Sequence, residues 1–426
     1  MNPYLQYMYS YPHKTAYGPL TGVSLEKYAD RLLEGETSLY FHIPFCETKC
    51  GYCNLFSVAG ADDTVMRRYV DAMERQAAQW SEVLPAELYF ADLTLGGGTP
   101  LLLPEQELER VFRIAGERLG FDASVRRTAV ETSPAQTTED KLYLLREHHV
   151  TRVSIGVQSF CGEELKTLHR NHSTEQAERA LAAIRKVGFP CVNVDLIYGI
   201  PGQTADSLRD SVERALSYEP EELFVYPLYI KEGTYLSAKG VRRPEETYDM
   251  YIWLRLYLRE RGYRPYSMRR FVKESEVAHI AGCGFENTLS IGCGGRSYIG
   301  NLHFCTPYGV RPARCRELLE QYMSQEDYTE ISHGYLLSEE EQRRRYVIKN
   351  ILFACGLCER EYETAFSSDA ARDFPVLREW ARDGYAIRQD GKWVLTEKGF
   401  SLSDYLGPML ISDEVRERMS SGGGRM

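Results

Sequence analysis

Tyr40-Phe41-His42-Ile43-Pro44-Phe45-Cys46-Glu47-Thr48-Lys49-Cys50-Gly51-Tyr52-Cys53 decides how this chain is read. An apolar, β-type run ends in three cysteines spaced C-x3-C-x2-C. Thiolates so spaced can hold three irons of a [4Fe–4S] cluster and leave the fourth iron without a protein ligand. An electron-transfer ferredoxin closes its cluster with four cysteines. A site that must bind a substrate or cofactor keeps one position open, as catalytic zinc sites do. The alternatives are buried free thiols or a zinc knuckle short of its fourth ligand, but Lys49 and Gly51 between the cysteines are unlike a packed core stripe.

The rest of the composition is consistent with an intracellular metal protein. At 426 residues the chain suggests one large domain with an appendage. Fifty-one Lys and Arg stand against 61 Asp and Glu, a formal charge of −10, which gives no general footprint for nucleic acid or an anionic membrane. A small-molecule substrate is expected instead. The N-terminal MNPYLQYMYSYPHKTAYGPL is aromatic and polar with no apolar core, and no run is long enough to span a membrane, so a cytoplasmic protein is expected. Eleven cysteines without a secretion signal point to reduced thiols and metal binding rather than a disulfide framework.

Outward from the cysteines, short apolar runs alternate with longer amphipathic stretches, the pattern of βα units and a parallel sheet. Strands are predicted at 39–43, 88–95, 127–132, 152–157, 191–197 and 222–228, and helices near 64–83, 104–119, 138–148, 174–187 and 204–217. Six such units predict an α/β fold, an incomplete (β/α)6 TIM-type barrel over 38–230. Residues 1–37 read as an N-terminal strap and 231–335 as a segment covering the barrel. Residues 336–415 read as a winged-helix-like domain, with Asp390-Gly391 as a hairpin turn, and 416–426 as a disordered tail.

The polar signatures fall directly after the predicted strands. They are the cysteine loop, Gly96-Gly-Gly-Thr-Pro100, Glu131-Thr-Ser-Pro134, Gln158-Ser-Phe160 and Asp195-Leu-Ile-Tyr-Gly-Ile-Pro-Gly202. Barrel sites gather at the carboxyl-terminal rim, so these motifs are expected around one mouth. Glycines let the backbone approach an amino-acid moiety. Glu131 and Asp195 can accept from hydroxyls or an ammonium group, Gln158 offers a donor and an acceptor, and Arg170 a planar fork for a carboxylate. Each could equally be a capping or loop-tying residue. His169 and His172 could bind a metal, but no third ligand is evident nearby, and they read rather as loop or substrate-facing side chains. Cys283, Cys293, Cys305 and Cys315 could in principle hold a second cluster, without a C-x2-C clip to anchor it.

Taken together, YFHIPFCETKCGYC, GGGTP, E-x-x-P, GVQSF, LHRNH and VDLIYGIPGQ resemble the radical S-adenosylmethionine (SAM) superfamily, and within it the branch of oxygen-independent coproporphyrinogen III oxidases and heme chaperones. The resemblance covers nearly the whole chain, including Leu395–Pro408. It implies Cys46, Cys50 and Cys53 as the catalytic cluster ligands, with Tyr40, Gly97 and Glu131 at cluster-bound SAM. A second SAM would map to Tyr52, Gly98, Thr99, Gln158, Arg170 and Asp195. It further implies a 5′-deoxyadenosyl radical acting on a small substrate, and a flavodoxin- or ferredoxin-type electron donor. Two positions depart from the branch. Leu55 stands where the decarboxylating oxidase has a further cysteine, and Gly284-Phe-Glu-Asn-Thr-Leu-Ser-Ile-Gly292 stands where the chaperones carry a histidine-asparagine motif. What remains resembles biosynthetic relatives, some of them SAM-dependent C-methylases or cyclopropanases. A heme-binding chaperone and a tetrapyrrole oxidase are the alternatives.

Overall fold

The computed structural model describes residues 2–274 and 286–423, which form two compact units. Of the described residues, the larger comprises 18–244 and 286–335, and the other comprises 2–17, 245–274 and 336–423. These units cut across the linear segments expected from the sequence.

In the larger unit six parallel strands follow one another in chain order: β1 (Thr37–Ile43), β2 (Phe90–Gly97), β3 (Arg127–Thr132), β4 (Arg152–Gln158), β5 (Cys191–Tyr198) and β6 (Glu222–Pro227). Their connections carry the helices α1 (Asp63–Val83), α2 (Glu105–Arg113), α3 (Glu139–Glu147), α4 (Gly162–Thr167), α5 (Thr174–Val187) and α6 (Ala205–Ser217). This is the α/β partial barrel of TIM type expected from the alternation. The helix starts follow their capping chemistry. Asp62 accepts from the Val65 N–H ahead of α1, and Ser173 with Gln176 and Thr204 with Ser207 make reciprocal boxes ahead of α5 and α6. Helix α1 buries Met66, Tyr69, Val70, Met73, Ala77 and Trp80 on one face, each large apolar side chain contributing roughly 1.5–3 kcal/mol.

The sheet also extends where no strand was expected. β7 (Asn287–Ile291) lies parallel to β1, with Ile291 beside Phe41, although nearly 250 residues separate them in sequence. Beyond it run the antiparallel strands β8 (Arg296–Ile299) and β9 (Leu302–Cys305), then β10 (His333–Leu336). Part of the segment 231–335 is therefore sheet.

The other unit holds a three-stranded antiparallel sheet made by Leu357–Cys358, Lys392–Leu395 and Ala386–Gln389. The N-terminal residues pack within this unit. Tyr4 donates to the Thr247 carbonyl at 3.2 Å, and Lys349 Nζ donates to the Tyr9 carbonyl at 2.7 Å. Arg269 and Asp404 form a buried ion pair. Residues 416–426 were expected to be disordered, but a helix spans Asp413–Gly423. Ser412 Oγ takes the Val415 N–H at its start, Val415 is buried, and Arg418 pairs with Glu414 at 3.0 Å, one turn back. No helix among the described residues is long and apolar enough to cross a membrane.

Candidate active site

Cys46 ends a two-residue strand, Phe45–Cys46, which pairs in parallel with Val58–Ala59 and closes the neck of the cysteine loop. Val58 N–H donates to the Pro44 carbonyl at 2.7 Å, and Cys53 N–H donates to the Cys50 carbonyl at 3.1 Å, so the later two cysteines share a tight turn. Between them Gly51 is clamped on both sides of its peptide. Its N–H donates to the Leu168 carbonyl and its carbonyl accepts from the Leu236 N–H, each at 2.9 Å. None of the three cysteines is in a disulfide, and all three are partly exposed.

The glycine run after β2 is locked to this neck. Gly98 N–H donates to Ile43 O at 2.8 Å and Thr99 N–H to Phe45 O at 2.7 Å. A Cβ on Gly98 would stand 2.5 Å from the Phe45 carbonyl oxygen and 3.0 Å from Cys46 Sγ. Gly97 has φ 113°, and a Cβ there would meet the His42 ring at 2.6 Å. Gly97 N–H donates to Glu131 Oε2 at 3.0 Å. Tyr40, whose hydroxyl lies 3.3 Å from His42 Nδ1, completes this corner.

Across the mouth, Arg170 Nη1 reaches Cys50 Sγ at 3.2 Å and Nη2 the Gly156 carbonyl at 2.5 Å, while its buried Nε has no hydrogen-bond partner. Burial opposes the guanidinium charge, but Tyr52 and the Cys50 and Cys46 thiols outweigh it and raise the Arg170 pKa. Tyr52 packs on the apolar group Leu168, Ile197, Ile200, Leu228 and Leu236, close enough to feel the charges of Cys50, Arg170 and Asp195. Gln158 is buried at φ 72° in a three-residue turn closed by the Ser159 N–H on the Val157 carbonyl at 2.9 Å. Turns of this kind with positive φ are rare and strained in a residue with a side chain.

Two further groups hold this side in place: Asn193, which the motif reading passed over, and His172, which it read as a possible metal ligand. Asn193, fully buried in β5, donates to Asp195 Oδ1 at 2.7 Å and to Ser154 Oγ at 2.6 Å. His172 Nε2 lies 3.1 Å from the Val157 carbonyl that closes the Gln158 turn. Burial pushes the His172 imidazole down to about 3, so it is neutral and donates there. A polar residue inside an apolar run, as in Val192-Asn193-Val194, was the signal available for Asn193.

The carboxylates are electrostatically poised. Burial raises the Asp195 carboxyl to about 7, the Asn193 bond partly opposing and the Glu131 charge adding to it. Burial also raises Glu131, against the Gly97 N–H. The Cys46 thiol is pushed up to about 12, first by burial and then by Cys53 and Cys50. Three thiols that would repel one another as thiolates, beside the Cβ-free cradle of Gly98, fit the cationic core of an iron–sulfur cluster, which would hold them deprotonated. The unpartnered Arg170 Nε and the two carboxylates fit an amino acid and a ribose. Among the described residues no three His, Cys, Asp or Glu side chains are arranged to hold one metal ion; a cluster needs instead one thiolate on each of three irons. His169 packs on Tyr235 with ring centroids 4.0 Å apart, and Cys283 lies outside the described residues.

This mouth resembles that of radical SAM proteins. The family model described as the radical SAM superfamily matches residues 40–215, from Tyr40 into α6, and that family implies a [4Fe–4S] cluster and SAM as cofactors. The relatives that the chain resembles over most of its length are oxygen-independent coproporphyrinogen III oxidases and heme chaperones. It is 26% identical over 427 residues to the oxygen-independent coproporphyrinogen III oxidase of Escherichia coli K12, covering 92% of this chain and 91% of that one. It is 26% identical over 373 residues to the heme chaperone HemW of Bacillus subtilis, covering 85% of this chain and 96% of that one. The structure of the E. coli coproporphyrinogen III oxidase (HemN), a radical SAM enzyme, superposes with a TM-score of 0.82 at 24% identity, covering 95% of this chain and 96% of that one.

Proposed function

We propose that this chain reductively cleaves SAM and acts on a small organic substrate in the cytoplasm, with Cys46, Cys50 and Cys53 as cluster ligands. One observation carries the reading: the three thiols, the Gly97 N–H with Glu131, and the Arg170–Gln158–Asp195 side all face one rim. When bound, the cluster and SAM supply one-electron cleavage of the sulfonium and a 5′-deoxyadenosyl radical that abstracts hydrogen. The chain's own residues hold and aim. The Glu131 carboxylate already accepts from Gly97 and has lone pairs left for an ammonium group. Arg170 offers its free Nε–H to a carboxylate, and Asp195, fixed by Asn193, accepts from ribose hydroxyls. Tyr52 and its apolar neighbours exclude water from that side.

In our reading the mouth takes one or two molecules of SAM, the second held by Tyr52, Gly98, Thr99, Gln158, Arg170 and Asp195 as a donor of a one-carbon unit. Leu55, 45% exposed on the cysteine loop, offers no ligand and no proton, which favours a substrate other than coproporphyrinogen. The helices and small sheet of 336–415 read as a winged-helix-like module, and a flavodoxin- or ferredoxin-type protein as the electron source. The test is anaerobic reconstitution with iron and sulfide, followed by SAM and dithionite. Release of 5′-deoxyadenosine that depends on the three cysteines supports the reading, and S-adenosylhomocysteine with it supports the second SAM. Stoichiometric heme binding without SAM cleavage would move the chain to the chaperones.

A further inference from the structure

If SAM sits against Gln158, Arg170 and the apolar bed of Tyr52, as proposed for this mouth, those groups must be held in register, and the need for that register rests on the proposed reading. They arrive on separate connections. Gln158 lies in the turn after β4, Arg170 follows α4 with its N–H on the Leu165 carbonyl at 2.9 Å, and Ile197 and Ile200 come from the end of β5 and the loop beyond it. One side chain ties them. Glu164 in α4, 3% exposed, accepts from Ser159 Oγ at 2.6 Å and Gln203 Nε2 at 3.0 Å on one carboxylate oxygen, and from Ser207 Oγ at 2.5 Å on the other.

Each donor fixes something further. Ser159 follows Gln158 directly; its N–H closes the Gln158 turn on the Val157 carbonyl, and its hydroxyl takes the Cys161 N–H at 2.9 Å. Gln203 closes the loop 199–203: its Oε1 takes the Gly199 N–H at 2.7 Å and its Nε2 also reaches the Ile197 carbonyl at 3.2 Å. Ser207 belongs to the capping box of α6, so the carboxylate also lies at the partly positive first turn of that helix. What it lacks is a cation. Among the described residues no Lys, Arg or His pairs with Glu164, whereas Glu107 in α2, equally buried at 3%, pairs with Arg110 at 2.8 Å and Arg67 at 3.5 Å. A buried acid without a counter-ion is a poor device for stability and a good one for register, since its lone pairs fix where each donor must stand.

We propose that Glu164 is a positioning residue for SAM: it locks the turn after β4 to the loop after β5 and thereby sets Gln158, Arg170 and the bed of Tyr52 relative to one another. It acts through Ser159, Gln203 and Ser207. Cluster assembly does not depend on it, because the cysteine loop is held by backbone bonds, through its own two-residue ladder and through Gly51 to Leu168 and Leu236.

The experiment uses full-length protein, with Glu164→Ala and Glu164→Gln compared with wild type and with Glu107→Ala, which loses a buried acid away from the mouth. KM and kcat for SAM are measured on reconstituted protein with dithionite, together with the cluster spectrum, and hydrogen exchange is followed by mass spectrometry on cluster-free protein. Glu164→Ala should keep the cluster spectrum and raise the KM for SAM about ten- to a hundredfold, with kcat changed far less. Glu164→Gln should stay within a few-fold of wild type. Its amide oxygen can accept from Ser159 and Gln203 while its N–H donates to Ser207 Oγ, whose hydroxyl then turns to the Thr204 carbonyl at 3.1 Å. Glu107→Ala should lose stability and keep the wild-type KM; a purely structural role for Glu164 would make the two alanine variants alike. In hydrogen exchange, Glu164→Ala should open 157–161 and 199–203 together, and Glu107→Ala neither. A wild-type KM or a lost cluster in Glu164→Ala overturns the proposal, as does unchanged exchange at either segment. A wild type that carries its cluster but cleaves no SAM with dithionite refutes the SAM-cleaving reading instead, and exchange still decides whether Glu164 locks the two connections.

Discussion

The two sides of the mouth are held by different forces. On the side of β1 and β2, the backbone does the work. Gly98 and Thr99 hydrogen-bond to the carbonyls of Ile43 and Phe45, and the loop neck closes through a two-residue ladder. On the side of β4 and β5, position comes from buried side chains: Arg170 on Gly156, Asn193 on Asp195, His172 on Val157. A backbone-built site is rigid and tolerates no added atom, whereas a side-chain-built site can be tuned by charge and responds to pH.

The strongest attack on the backbone side is removal of a cluster ligand. Cys50→Ala should leave protein that folds but does not assemble a [4Fe–4S] cluster, with SAM cleavage below detection, as iron analysis and 5′-deoxyadenosine release will show. Gly98→Ala tests the cradle itself. Its Cβ would be forced to 2.5 Å from the Phe45 carbonyl oxygen, so it should cost about 1–3 kcal/mol in denaturant unfolding and lower cluster incorporation. If this variant assembles a full cluster at wild-type stability, the neck is looser than described.

The side-chain side should fail more gently and with a pH signature. Asp195 is held at about 7, up from 3.8, chiefly by burial. The native chain therefore keeps a proton that the unfolded chain gives up, and this group lowers stability as pH rises between those two values. In cluster-free protein Asp195→Asn should remove that fall, so the variant gains on wild type towards neutral pH in urea melts. In the loaded enzyme the same change should raise the KM for SAM about tenfold, the scale of one hydrogen bond to a charged group. Smaller still is His172→Leu. Loss of its bond to Val157 should cost about 1 kcal/mol and raise the KM for SAM a few-fold with the cluster spectrum intact. A lost cluster there would erase the distinction between the two sides.

Legibility in the sequence divides along the same line. The parallel strands were legible because they are short runs with buried apolar residues, alternating with longer amphipathic stretches, and most lead into a glycine, cysteine or polar motif. The predicted ranges 127–132 and 222–228 differ from Arg127–Thr132 and Glu222–Pro227 by at most a residue. The site's motif residues were legible for the same reason, since a strand end fixes where they point. β7 was not legible, because Asn-Thr-Leu-Ser-Ile has only two large apolar residues and finds its partner β1 far back in the chain. Asn193 was missed and His172 was read for another role, because each holds another residue and such a role appears only when both are placed in space. The closing helix was missed because its serine- and glycine-rich end obscured the Ser412 cap and the Glu414–Arg418 pair.

Everything proposed for this mouth depends on three thiols leaving one iron open towards a pocket shaped for SAM. The sharpest probe of that arrangement is the electron paramagnetic resonance spectrum of the reduced, reconstituted wild-type protein before and after SAM is added. The expected result is a reduced [4Fe–4S] signal whose g-values shift on adding SAM, with the shift weakened in Arg170→Ala and Glu131→Gln. An intact reduced cluster whose spectrum is indifferent to saturating SAM would contradict it.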